Sequence, residues 1–339
     1  MTGKERILAA LERRQSDMVP TFEWFIDVTV GRVLSGSDDP LEVVERLDLD
    51  AMNVRPDYAA RRLDQRTLLD EWGIRRRETG DSLPALLESP IKDISRQADY
   101  AFPEPALPQR FATLQRAMEK FGDRRAVVFN LRDGFSDMRD LLGYENCLMS
   151  MLCEPEHFTA LLERAVDYNL AVAAAARRRF GVEIVATTDD VANATGLLMR
   201  PQTYFERIAP RFQRAIAGYK ELGYRTIKHC DGKIDAVVDF WIDCGIDCLD
   251  PIDPAGGYTL GRMKARYGGR ICLKGNVDCT GALCRGTPEE VVQEVRQCLA
   301  EAAPGGGLIL SSSNTIHRGV KPENYRAMLD AARAYRLSP

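Results

Sequence analysis

The chain has 339 residues, of which 45% are hydrophobic, and a formal net charge of −4. Its length and apolar content suit one large α/β barrel with a sizeable core, and the lack of a basic block argues against a nucleic-acid partner. No run approaches the ~18 apolar residues of a membrane span. The first six residues open a charged helix and not a signal peptide, so a cytoplasmic protein without membrane contact is expected.

The chain contains nine cysteines and three histidines. An odd number of cysteines in a cytoplasmic protein argues against a disulfide framework, so free thiols are predicted. His157 follows Pro155-Glu156 at a helix start and is expected to be structural, whereas His229 and His317 each follow a predicted strand.

The predicted elements begin with an amphipathic helix over 4–14 and a strand over 18–24. A second strand at 50–55 is followed by the segment 56–107, whose Pro, Arg and Asp clusters predict an insertion or lid with a hairpin near 72–77. From residue 109 onward helices alternate with strands, and Thr287 and Glu290 form a capping-box pattern at one helix start.

Eight short strands are predicted in all, near residues 18, 50, 126, 183, 225, 246, 270 and 307. Their apolar, β-branched runs suit a parallel sheet that is covered on both faces. The strand count and the chain length predict an α/β fold, namely an eight-fold β/α (TIM) barrel. We expect one domain over 1–339, with 56–107 as an inserted cap.

Catalytic groups in such barrels lie at the carboxyl ends of the strands. His229 and Asp231 share one face of the strand at 225–229, because alternate side chains of a strand point the same way. This pair suits a metal, or a carboxylate that orients an imidazole. A capping Asp beside a hydrogen-bonded His is the structural alternative. The other strand-end candidates are Glu23, Asp27, Asp189, Asp190, Asp250, Asp253, Asn276, Asp278, Ser312, Ser313, Asn314 and His317.

The predicted barrel mouth is rich in carboxylates, with two histidines and few cations. This composition favours a metal or a neutral-to-cationic substrate, and it would repel a polycarboxylate. The sequence has no Gly-rich nucleotide loop in a strand–turn–helix context and no Gly-x-Ser-x-Gly elbow. A nucleotide-binding loop and a hydrolase triad are therefore unsupported.

Several motifs resemble the uroporphyrinogen decarboxylase superfamily. They are Thr2–Leu11 followed by Met18-Val19-Pro20, Gly275–Asp278, Gly286–Val291 and Val320–Tyr325. The resemblance covers essentially the whole chain and is weakest over 56–107. It implies an eight-fold β/α barrel, in agreement with the strand count, and an activity either of the decarboxylase type or of the cobamide-linked methyltransferase type.

Within this resemblance the two activities differ in their motifs. True decarboxylases carry an arginine-rich segment near the first strand, whereas 20–27 contains Glu23 and Asp27 and no arginine. The thiol-activating methyltransferases hold zinc with a His-x-Cys pair and a distant Cys. His229 matches the first position, Asp231 replaces the first Cys, and Asn314 lies near the second. By elimination, the chain resembles the branch with corrinoid-dependent demethylases of methyl ethers or methylamines.

The resemblance thus implies a methyltransferase that moves a methyl group between a small methylated substrate and a corrinoid on a partner protein. Zn²⁺ is the candidate metal, with His229 and Asp231 as ligands. The expected catalytic residues are His229, Asp231, His317 and Asp278, and the expected substrate-binding residues are Glu23, Asp27, Asp190, Asn276 and Asn314. The alternatives are a decarboxylase or other lyase of a smaller substrate, and a non-catalytic corrinoid-binding barrel. The oligomeric state is open, with a homodimer as one expectation.

Overall fold

The computed structural model of the protein describes residues 1–80, 82 and 84–335. Its strands are β1 (Ala51–Val54), β2 (Ala60–Arg62), β3 (Thr67–Asp70), β4 (Arg75–Arg77), β5 (Ala85–Glu88), β6 (Ala126–Leu131), β7 (Ile184–Thr188), β8 (Ala192–Asn193), β9 (Gly196–Leu197), β10 (Arg225–His229), β11 (Cys248–Asp250), β12 (Cys272–Val277) and β13 (Leu308–Ser312). Its helices are α1 (Gly3–Leu11), α2 (Val28–Ser35), α3 (Pro40–Arg46), α4 (Ala112–Phe121), α5 (Phe135–Leu142), α6 (Tyr144–Cys153), α7 (Pro155–Phe180), α8 (Pro201–Thr203), α9 (Ala209–Glu221), α10 (Val238–Asp243), α11 (Leu260–Tyr267), α12 (Ala282–Arg285), α13 (Pro288–Ala302) and α14 (Pro322–Ala334).

Seven strands form one curled parallel sheet in the spatial order β1, β6, β7, β10, β11, β12, β13. Helices connect successive strands, and their apolar sides pack on the outer face of the sheet in the larger of two core clusters. The predicted α/β class and seven of the eight predicted strands are therefore confirmed. The run of apolar residues in each strand reflects burial on both faces.

The predicted first strand at 18–24 is not a regular strand. Thr21 forms only an isolated bridge with Leu310, and Pro20 has no N–H to donate to a ladder. The segment nevertheless contacts both edges of the sheet, because the N–H of Leu310 donates to Pro20 O at 2.9 Å and the N–H of Asp50 donates to Thr21 O at 3.0 Å. The sheet is thus a half-barrel of seven strands, and the prediction of a closed eight-stranded barrel is corrected here.

The inner face of the sheet is apolar near the amino ends of the strands. The cluster there contains Phe22, Trp24, Ala51, Ala126, Val128, Ile184, Ala186, Ile227, Cys248, Cys272 and Ile309. Helix α1 covers this end, since Ile7, Ala10 and Leu11 belong to the same cluster. Polar side chains are therefore left for the opposite end, where the strands finish.

A second sheet of four antiparallel strands, β2 to β5, lies within the inserted segment 56–107. The predicted hairpin near 72–77 corresponds to β3 and β4, which pair with each other. Two ion pairs hold this sheet to the rest of the chain: Arg76 binds Asp140 of α5 at 2.8 Å and Arg110 binds Glu71 at 2.9 Å. Its role as a lid remains a prediction.

The nine cysteines all carry free thiols, in agreement with the prediction from their odd number. Among the helices that the structure describes, none combines the length and the apolar character needed to cross a lipid bilayer.

Candidate metal centre and active site

Three side chains converge where β7 and β10 end. His229 closes β10 and lies opposite Thr188 of β7 in the register of the sheet, so the residues two positions further on, Asp190 and Asp231, are also neighbours. His229 Nε2 lies 3.5 Å from Asp231 Oδ1 and 3.9 Å from Asp190 Oδ1. One ligand atom from each of the three residues falls within 4.8 Å of the others.

Asp250, at the end of β11, fixes the orientation of His229. Its Oδ2 accepts a hydrogen bond from His229 Nδ1 at 2.5 Å and another from the indole N–H of Trp24, while its Oδ1 binds Lys274 Nζ at 2.7 Å. Burial would raise the pKa of Asp250, but the charge of Lys274 and the bond to His229 hold that pKa below its usual value. The carboxylate keeps the proton of His229 on Nδ1 and turns Nε2 toward Asp190 and Asp231.

The electrostatics of this cluster favour a cation. Burial raises the pKa of Asp231 to about 6. The charge of His229 opposes this shift, and the charge of Asp190 adds to it. Burial lowers the pKa of His229, but Asp231, Asp250 and Asp190 raise it to about 9. Asp231 Oδ2 accepts a hydrogen bond from Asn314 Nδ2 at 2.6 Å, whereas its buried Oδ1 has no hydrogen-bond partner among the described residues. One nitrogen, two carboxylates and an unpaired oxygen fit a metal ion such as Zn²⁺.

The loop after β10 owes its shape to Gly232. This residue has φ +84°, and an added Cβ would lie 2.4 Å from the carbonyl carbon of Asn193. Two hydrogen bonds from backbone N–H groups to carboxylates define the turn. Asp231 N–H donates to Asp190 Oδ1 at 3.1 Å, and Gly232 N–H donates to Asp253 Oδ2 at 2.9 Å. The close approach to Asn193 therefore requires glycine, and it places Asp231 beside Asp190.

Glu23 and Asp27 lie in the segment that approaches β13 and leads into α2. Both carboxylate oxygens of Glu23 accept hydrogen bonds from Ser312, at 2.8 Å from its N–H and 2.6 Å from its hydroxyl. Asp27 caps α2 by accepting from Thr29 N–H at 2.9 Å, and its other oxygen accepts from the hydroxyl of Ser82 at 2.5 Å. Both carboxylates thus have partners within the protein.

Asn276 and Asp278 lie at the end of β12. Asp278 Oδ1 accepts from the N–H groups of Thr280 and Gly281 at 2.9 and 2.8 Å, which is a local turn. Asn276 donates a long hydrogen bond of 3.5 Å from Nδ2 to Tyr258 O, and its Oδ1 accepts another from Cys298 Sγ at 3.5 Å. Neither side chain hydrogen-bonds to the His229 cluster within the described ranges.

His317 follows β13 and packs against the segment 279–284, which includes the start of α12. Its Nε2 lies 3.1 Å from Cys279 O and 3.6 Å from Cys284 Sγ, and its Nδ1 accepts from Gly319 N–H at 3.2 Å. These contacts occupy both ring nitrogens. Among the described parts of the chain they do not join His317 to the cluster of His229.

Asp189 points away from the cluster, since it precedes Asp190 on the same chain and so takes the opposite face. Its Oδ2 accepts from the N–H groups of Asp133 and Phe135 at 3.0 and 2.8 Å. Lys228, buried on the same outer side, donates to Asp133 Oδ2 at 2.6 Å and to Asp189 O at 2.9 Å. This second network supports the helix layer.

Several residues around the mouth escaped the sequence analysis. Lys274 lies inside β12 and supports Asp250, so its signal was a lysine within an apolar strand. Arg55 follows β1 and Arg132 follows β6, which corrects the expectation of a mouth with few cations. Applying the strand-end rule to the strands at 50 and 126 would have found both arginines.

Comparisons with known proteins agree with this architecture. Residues 41–335 match the family described as "Uroporphyrinogen decarboxylase (URO-D)". A uroporphyrinogen decarboxylase of Psychromonas ingrahamii is 30% identical over 185 residues, 53% of this chain and 49% of that protein. A methylcobamide:CoM methyltransferase, MtaA of Methanosarcina barkeri, is 28% identical over 232 residues, 68% of this chain and 64% of that protein. The matched part thus spans less than two thirds of each relative.

A solved structure of a methyltransferase from Methanosarcina mazei has the same fold. It superimposes with a TM-score of 0.77 at 19% sequence identity, and the match covers 98% of both chains. The family match over most of the sequence and this shared fold lead to one conclusion. The chain belongs to the uroporphyrinogen decarboxylase family, and methylcobamide methyltransferases are among its relatives.

Proposed function

We propose that the protein is a methyltransferase that moves a methyl group between a small methylated substrate, of the aryl methyl ether or methylamine type, and a corrinoid carried by a partner protein. The convergence of His229 Nε2 with Asp190 and Asp231 carries the proposal, because it offers three ligand atoms to one cation at the ends of the strands. Relatives that are methyltransferases support the same class of reaction.

His229, Asp231 and Asp190 would hold Zn²⁺. The ion would supply a Lewis acid for the oxygen or nitrogen that gives up the methyl group. The set lacks thiolates, since Asp231 stands where related methyltransferases are expected to have a Cys. Asp250 orients the ligand His229 through Nδ1, and Asn314 restrains the ligand Asp231 through Oδ2. Such supporting hydrogen bonds are typical of zinc sites.

The proposal also includes the finer expectations from the sequence. His317 and Asp278 are proposed to act in catalysis, and Glu23, Asp27, Asn276 and Asn314 in substrate binding. The corrinoid would approach the carboxyl ends of the strands, with 56–107 as a lid. A single domain over 1–339, a cytoplasmic location and a homodimer belong to the same proposal.

A decarboxylase or other lyase is the second candidate. It is favoured by the 30% identity with a uroporphyrinogen decarboxylase. Against it stands the segment 20–27, which contains Glu23 and Asp27 but no arginine. Release of carbon dioxide from a pyrrole or aromatic acid would identify this activity directly.

The decisive experiment measures zinc content and methyl transfer to cob(I)alamin from methoxylated aromatics and methylamines. His229→Ala should lose the metal and lower kcat by roughly 10²-fold or more, as expected for a group needed in the transition state. His157→Ala is the matched control, since His157 is exposed on α7. Unchanged methyl transfer by His229→Ala would refute the proposed mechanism, and carbon dioxide release without methyl transfer would favour the lyase.

A further inference from the structure

The side of the mouth formed by β1 and β6 carries positive charge. Arg55 follows β1, Arg132 follows β6, and Arg76 reaches the same place from β4 of the small sheet. Arg132 binds Asp137 at 2.9 Å and Asp140 at 3.0 Å, and Arg76 binds Asp140 at 2.8 Å. Two of the three guanidinium groups therefore have carboxylate partners.

Arg55 differs from its neighbours, because it has no hydrogen bond or ion pair within the part of the chain that the structure describes. Its side chain is open to solvent. Nevertheless its pKa is lowered, first by desolvation and then by the charges of Arg132 and Arg76, with Asp140 acting in the opposite direction. Its positive charge therefore lacks a direct counter-charge.

Asn130 provides a second unpaired donor beside Arg55. Val54 pairs with Phe129 in the register of β1 and β6, so the next positions, Arg55 and Asn130, are neighbours. Asn130 is 3% exposed, and its Nδ2 has no partner among the described residues. Its Oδ1 accepts from Thr188 Oγ1 at 2.9 Å, and it follows the inward-facing Val128 by two positions. The unpaired N–H groups therefore face the inside of the half-barrel.

We propose that Arg55 and Asn130 form a carboxylate-binding subsite, and that the methyl donor is an organic acid whose carboxylate binds there. A guanidinium and an amide N–H₂ are suitable donors for one carboxylate. The identification of the bound acid as the methyl donor rests on the proposed methyl transfer. It replaces the neutral-to-cationic substrate that the sequence favoured, because that expectation overlooked both arginines of the mouth.

The subsite and the His229 cluster lie across the mouth from each other. Strands β6 and β7 separate β1 from β10, which corresponds to roughly 14 Å along the curved edge at the usual strand spacing. The long side chain of Arg55 shortens this distance across the mouth. An aromatic acid with its methylated group opposite the carboxylate suits such an arrangement. A phosphate of the corrinoid is the other anion to be tested, but the inward direction of Asn130 favours the smaller substrate.

The first test measures binding without any turnover. Calorimetry on the wild-type protein should show binding of 4-methoxybenzoate and much weaker binding of the neutral 4-methoxybenzamide. Arg55→Met should weaken the acid about 10- to 100-fold, the value of a charge-assisted hydrogen bond, whereas Arg61→Met should not, because Arg61 is exposed on β2. Equal affinity of the wild type for acid and amide would overturn the proposal, even if the Arg55 variant failed to fold.

Two further experiments distinguish the substrate carboxylate from a corrinoid phosphate as the bound anion, and failure of the subsite from failure of the proposed function. Inorganic phosphate that competes with the acid and binds more tightly, in a manner that depends on Arg55, would assign the subsite to the corrinoid instead. In methyl transfer, Arg55→Met should raise KM for 4-methoxybenzoate, whereas Arg61→Met should leave KM unchanged. If no donor is demethylated but the acid binds through Arg55, the methyltransferase assignment and the identity of the acid as methyl donor both fail. The carboxylate-binding subsite itself then stands.

Discussion

At the scale of single residues, Asp250 is the positioning residue of the site. It is fully buried, and it accepts bonds from Trp24, His229 and Lys274. Lys274 is equally buried and has no other ion pair among the described residues. The same carboxylate therefore has two functions: it neutralises a buried ammonium group and it sets the tautomer of His229.

Asp250→Asn should impair both of these functions. The amide retains the shape of the side chain but not its charge, so the buried charge of Lys274 should destabilise the fold by about 3–5 kcal/mol. Loss of the carboxylate behind His229 should also weaken zinc binding by roughly 10- to 100-fold. Urea unfolding and competition with a zinc chelator measure the two effects.

The double variant Asp250→Asn, Lys274→Met is the control for this prediction. It removes the unpaired charge, so most of the stability should return while zinc binding stays weak. Recovery of zinc affinity together with stability would show that Asp250 acts only on the fold.

At the scale of elements, the loop after β10 depends on close packing against the β8–β9 hairpin. Gly232→Ala would bring a methyl group to within 2.4 Å of the Asn193 backbone, in addition to the ~1–2 kcal/mol strain of an L-residue in the left-handed region. We expect a loss of stability clearly above that value, and displacement of Asp231. Thermal unfolding and metal titration test both.

Gly257 provides the matched control for Gly232. Its φ is +83°, but an added Cβ would meet nothing within 4 Å. Gly257→Ala should therefore show only the backbone strain. Equal losses in the two variants would mean that contact with Asn193 is unimportant.

Helix starts illustrate how much local sequence can specify. The capping box predicted at Thr287 and Glu290 is present at the start of α13, where Thr287 N–H donates to Glu290 Oε2 at 2.8 Å and Glu290 N–H donates to Thr287 Oγ1 at 3.3 Å. Both partners lie three residues apart. Such a pattern needs no information from the rest of the chain.

At the scale of the whole molecule, the half-barrel depends on the segment between its two edges. Thr21 accepts from the N–H of Asp50 at one edge, and Glu23 binds Ser312 of β13 through both oxygens at the other. Burial raises the pKa of Glu23 to about 7, although the charge of Lys274 and the bonds from Ser312 oppose the shift. The junction therefore holds a carboxyl group that is costly to ionise.

Glu23→Gln should change how stability depends on pH. The folded protein retains the Glu23 proton up to pH about 7, whereas the unfolded chain loses it near 4.5, so this group lowers stability as pH rises through that window. Glutamine cannot ionise and can still bond to Ser312. The variant should therefore gain stability relative to the wild type across the window, by about 3 kcal/mol in total.

Urea unfolding at several pH values between 4.5 and 8 measures this difference. Glu289→Gln, a change of an exposed residue in the first turn of α13, should leave the pH profile parallel to that of the wild type. A parallel profile for Glu23→Gln as well would show that Glu23 ionises as easily in the folded protein as in the unfolded chain.

The sequence by itself determined the parallel α/β class, seven strands and the shared face of His229 and Asp231, because strand runs, helix caps and alternation depend on neighbours along the chain. Only the tertiary structure decided which strand ends meet. Asp250, Lys274 and Trp24 come from three distant segments, so their bonds around one carboxylate have no local signature. The irregular segment at 20–22 and the unpaired Arg55 were decided in the same way, since a missing N–H partner or counter-charge exists only once all surrounding strands are in place.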